Sequence, residues 1–71
     1  MPLTMLPTGI AAIIHDCRAK ESTKKFLEGL GMVPGASVTV ISEHGGNLIV
    51  NVKDSRLALS KGIAQQLLVQ M

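Results

Sequence analysis

The chain has 71 residues, 46% of them apolar, a single cysteine, and seven Lys and Arg against five Asp and Glu for a net charge of +2. That length allows one small domain spanning residues 1–71, stapled neither by a disulfide, which needs two cysteines, nor by a structural metal, for which there is no Cys/His cluster. Phe26 is the only aromatic residue, so aliphatic side chains must fill the interior, and the interspersed charges offer neither the cationic stripe nor the aromatic platforms of a nucleic-acid binder.

Pro2 and Pro7 bracket a lead-in carrying Leu3, Met5 and Leu6. The run Ile10-Ala11-Ala12-Ile13-Ile14 follows a turn at Thr8-Gly9 and is rich in β-branched residues, which predicts a first strand, apolar on both faces and therefore buried. Residues 15–21 are polar and read as an exposed connection. Ser22 can accept backbone N–H groups at a helix N-terminus, and Thr23 to Leu30 reads as a short helix whose apolar stripe is Phe26, Leu27 and Leu30. Phe26 is expected in the core. Gly31 suits the left-handed position beyond the helix, and Pro34-Gly35 suits the centre of a type II turn.

The period then changes to two. Ser37 to Ile41 places Val38 and Val40 on one face, and Asn47 to Val52 does the same with Leu48, Val50 and Val52. Glu43-His44-Gly45-Gly46 forms the hairpin connection between them. A turn at residues 53–55 leads to a strand at Arg56-Leu57-Ala58-Leu59 with both leucines inward. Ser60 can cap one helical turn, Lys61 to Gln65, and Leu67-Leu68-Val69 returns as a last strand. The whole reads as mainly β, a small and partly open barrel of about five strands with one short helix after the first strand.

The hexapeptide Leu30-Gly31-Met32-Val33-Pro34-Gly35 resembles the leucine-glycine-hydrophobic-x-proline-glycine signature of the ferrous iron transport protein A family, FeoA. Leu6-Pro7-Thr8-Gly9, Arg56-Leu57-Ala58-Leu59 and the segment Ile63 to Val69 agree with the family in order and spacing. The resemblance implies an SH3-like barrel and an accessory role in ferrous iron uptake, docking on the cytoplasmic GTPase portion of a membrane iron permease. It also implies an alternative, because iron-dependent repressors carry a similar barrel as their C-terminal domain: a stand-alone metalloregulatory domain. Two positions depart from the family pattern. The connection from Ser42 to Asn47 is short, and Ser60 stands where an Arg is frequent.

Candidate chemistry is sparse. His15 and Cys17 could share a face of an extended chain, giving a two-ligand fragment, and His44 lies beside Glu43; a transition-metal site needs three or four spaced ligands, so at most weak capture of a divalent ion is expected and no cofactor. Cys17 with His15 lacks a third orienting group, and no Gly-rich loop precedes a helix to cradle a phosphate, so neither catalysis nor nucleotide binding is expected. Surfaces remain. Lys24, Lys25 and Glu28 on the polar helix face, and the apolar turn Met32-Val33-Pro34, are the candidate partner-binding residues, with Met32 alternatively closing the core. A proline-rich peptide groove is excluded for lack of aromatics. An open barrel leaves strand edges, through which weak self-association is available. With no span of roughly 20 apolar residues and no signal-peptide pattern, the expected location is the cytoplasm with a reduced thiol.

Overall fold

A computed structural model describes residues 1–71. One turn of 3-10 helix at Leu3–Met5 precedes β1 (Ala11–Cys17), α1 (Glu21–Gly29), β2 (Ser37–His44), β3 (Asn47–Val52), β4 (Ser55–Ser60), α2 (Lys61–Ala64) and β5 (Leu67–Gln70). The strands form one antiparallel sheet in the order β4-β3-β2-β1-β5. β4 and β5 are its two edges and do not pair, so the barrel stays partly open, as expected from the sequence.

Alternation builds the core. Val38 and Val40 of β2 and Leu48, Val50 and Val52 of β3 are all buried on the inner face. Leu3 and Leu6 close one side, and Leu27 of α1 and Ala64 of α2 join the same cluster. β3 has the predicted limits. β2 is longer than predicted: its ladder continues to His44, and only Gly45 and Gly46 turn the chain, at φ 54° and 85°. Two successive left-handed residues match the twist of the flanking strands, and glycine takes them without a steric cost.

Three expectations are corrected. The run Ile10 to Ile14 is buried on one face only: Ala12 and Ile14 point inward, while Ile13 keeps 45% exposure because nothing covers the outer face of the sheet. Phe26 is 57% exposed. Leu27 takes the core position instead, since α1 lies against the sheet along a single narrow line and residues one apart point about 100° from each other. The helix also starts earlier, at Glu21, with Lys20 at the cap and no side-chain cap bond, so Ser22 lies inside the first turn. Glu21 in that turn faces the positive end of the helix dipole.

The end of α1 follows the sequence reading. Gly31 sits at φ 88°, its N–H donates to Glu28 O at 3.0 Å, and the Met32 N–H donates to Leu27 O at 3.0 Å. That pair of bonds satisfies two orphan carbonyls of the last turn and drives Met32 inward, to 2% exposure. Ser60 caps α2, its Oγ accepting the Ile63 N–H at 3.3 Å.

Candidate functional site

β1 does not stop at Ile14. It runs on to Cys17, and its pairing with β5 steps from Ile14↔Val69 to Asp16↔Leu68, so His15 is an extra residue in a β-bulge. The Cys17 N–H donates to Asp16 Oδ1 at 2.8 Å across this irregularity. A bulge resets alternation: Ile14 and Cys17 face the core side, whereas His15 and Asp16 are exposed. The expectation that His15 and Cys17 share a face is therefore wrong, and the two-ligand fragment does not form.

The same bulge builds a cleft. The Gly35 N–H donates to Ile14 O at 2.8 Å and the Ile14 N–H to Ala36 O at 2.8 Å, which clamps the Pro34-Gly35 turn against β1. α1 lies across from it and presents Lys24, Leu27 and Glu28, three residues at the i, i+3, i+4 spacing of one helix face. Between these walls lies a cleft of about 100 Å³, with Asp16 and Cys17 on the strand side, Met32 beneath and Pro34 at the turn.

Size and polarity decide what the cleft can hold. Small-molecule sites run from roughly 300 to 1,000 Å³, so a nucleotide does not fit. One aliphatic side chain does. No polar or charged side chain of the protein is buried, so the Lys24, Glu28 and Asp16 charges stand at the rim in water, where they steer encounter more than they add affinity. No buried acid, base or nucleophile faces the cleft; Cys17 is half-buried at its edge.

Of the candidate partner-binding residues, the fold brings Lys24, Glu28, Met32 and Pro34 together. Met32 is core floor, so its side chain is not offered at the surface as the apolar turn suggested. Lys25 is exposed and Val33 half-buried, and neither lines the cleft. Cys17, considered as a metal ligand, forms part of the wall of this cleft. Asp16 and Leu27 complete the lining without having been singled out for contact, because the bulge that delivers Asp16 has no Gly to mark it.

The metal candidates do not converge. His44 ends β2 while Cys17 lies beyond the opposite end of that strand, past the Ile13↔Ser37 pair, and the seven steps of β2 alone cover about 23 Å of strand. Glu43 pairs with Lys61 Nζ at 3.1 Å. Nowhere do three His, Cys, Asp or Glu side chains gather so as to hold a metal ion.

Solved structures share this architecture along its whole length. The FeoA protein from Chlorobium tepidum superposes with a TM-score of 0.94 at 25% identity, over 100% of this chain and 70% of that one. Stenotrophomonas maltophilia FeoA, a procaryotic SH3 domain protein solved with zinc, matches at TM-score 0.81 and 29% identity, over 99% of this chain and 89% of that one. IdeR from T. acidophilum matches with a TM-score of 0.89 at 21% identity but over 33% of its own length, a likeness of fold alone. No curated protein matches by sequence. The barrel is thus the SH3-like one expected, and with the FeoA domain model matching residues 1–71, the chain belongs to the FeoA family.

Proposed function

We propose that this protein is a non-enzymatic accessory of ferrous iron uptake that docks on the cytoplasmic GTPase portion of a membrane iron permease and modulates transport, using the cleft between α1, the end of β1 and the Pro34 turn. The observation that carries the reading is the cleft itself: a recess of about 100 Å³ with an apolar floor and a charged rim, sized for one anchoring side chain. Interfaces concentrate their energy in such anchors, while rim charges select the partner. Family membership supplies the process. The Stenotrophomonas relative has been put forward as a candidate activating factor of bacterial ferrous iron transport. No helix of this chain is long and apolar enough to cross a membrane.

The test is titration of the isolated soluble GTPase domain with this protein, in each nucleotide state, using wild type, Lys24→Glu and Glu28→Lys. Binding that each rim reversal weakens several-fold supports the reading. Absence of association in every nucleotide state overturns it.

A further inference from the structure

The two edges of the sheet are treated differently. At β5 the chain covers its own edge: the N-terminal ammonium of Met1 donates to Val69 O at 3.0 Å, the Val69 N–H donates to Met1 O at 2.7 Å, and Pro2 bridges to Leu68. β4 has no such cover. Outside elements of secondary structure, no backbone hydrogen bond reaches residues 55–59.

Which groups are free follows from the register. Val52↔Ser55 closes a two-residue turn, and the Lys61 N–H donates to Gly46 O at 3.2 Å six residues on. Antiparallel bonds alternate, so Ser55, Leu57 and Leu59 bond to β3, and Arg56 and Ala58 direct their N–H and C=O groups away from the sheet. Both residues are exposed. Few of the usual protections of an edge are present: β4 pairs with β3 without a bulge, contains no proline and carries a single charge, Arg56.

We propose that β4 pairs antiparallel with β4 of a second copy of this chain, about a two-fold axis at Leu57. This register is self-complementary. Arg56 faces the partner's Ala58 and Ala58 the partner's Arg56, each pair exchanging two backbone hydrogen bonds, and the half-exposed Leu57 meets its copy at the axis. Centring the axis on Arg56 would set two guanidinium groups opposite each other, which like-charge repulsion disfavours. Centring it on Ala58 would place Leu57 against Leu59, a residue already buried. The interface is one strand wide, so the dimer is weak and concentration-dependent. This surface lies apart from the α1 cleft, and the inference does not depend on what the cleft binds.

Ala58 is exposed, outside the core and at a position opposite Ile49 that makes no backbone hydrogen bond to β3, so substitutions there leave the fold intact. Sedimentation velocity and amide hydrogen exchange are measured from about 0.02 to 1 mM for wild type, Ala58→Glu and Ala58→Lys. The expected result is a dimer that grows with concentration while the Arg56 and Ala58 amides, not those of Leu57 and Leu59, gain protection. Ala58→Glu sets a carboxylate against the partner's Arg56 twice and tightens the dimer about tenfold; Ala58→Lys loosens it by a similar factor. A wild type and an Ala58→Glu variant that both stay monomeric throughout overturn the proposal. So does association that the two substitutions leave unchanged or shift in the opposite directions.

Discussion

Leu27 and Phe26 are neighbours on α1, and truncating each to alanine separates the packing described above from the one that composition suggests. Leu27 is 1% exposed and belongs to the central cluster, so Leu27→Ala removes its full burial and leaves a hole between α1 and the sheet. Such replacements cost 2–5 kcal/mol, and about 3 kcal/mol fits a helix that can settle partly into the gap. Phe26 retains 57% exposure, so roughly 80 Å² of its ~200 Å² is covered, an upper bound of about 2 kcal/mol at 25 cal/mol per Å². Alanine keeps part of that contact and is the better helix former by about 0.5 kcal/mol, which brings Phe26→Ala to about 1 kcal/mol. A 71-residue domain has only about 4–10 kcal/mol in total, so the difference is large. Urea unfolding followed by circular dichroism measures both. The expected order is Leu27→Ala far below wild type, with its thermal midpoint down by roughly 15 °C, and Phe26→Ala close to wild type. A Phe26 variant as damaged as the Leu27 variant would refute the placement of α1, and with it the position of Lys24 and Glu28 at the cleft.

Other substitutions test separate features. Gly31→Ala forces a side chain into φ 88° at the end of α1 and should cost about 1–2 kcal/mol in thermal unfolding, although the added methyl itself meets nothing closer than 3.8 Å. Ser60→Ala removes the cap that holds the Ile63 N–H and should cost about 1 kcal/mol, read by the same melt. Lys61→Ala breaks the ion pair with Glu43, but both side chains are about half exposed, so urea midpoints should move by less than the equivalent of about 0.5 kcal/mol.

What was legible in the sequence was whatever depends on short-range chemistry. β3 shows itself through strict alternation from Leu48 to Val52, the end of α1 through Gly31, and α2 through Ser60. The parts that were not legible depend on what lies opposite a residue after folding. Phe26 and Leu27 are both apolar and adjacent, and only the line along which α1 meets the sheet decides which is buried. Ile10 to Ile14 looks apolar on both faces, but the fold covers one. The bulges at His15 and Ile41 carry no glycine, so the change of alternation that turns Cys17 inward and leaves His15 outside has no local mark. The cleft gathers residues from β1, α1 and the turn after it; the helix spacing of Lys24 and Glu28 was readable, and their partner wall at Asp16 and Cys17 was not.

The docking face is tested most directly by following backbone amide resonances of the isotope-labelled protein while the soluble GTPase domain of a membrane iron transporter is added. The expected result is that shifts concentrate at Asp16, Cys17, Lys24, Glu28 and Gly35, around the cleft. Shifts confined to the far hairpin at His44, Gly45 and Gly46, or none at any nucleotide state, would contradict it.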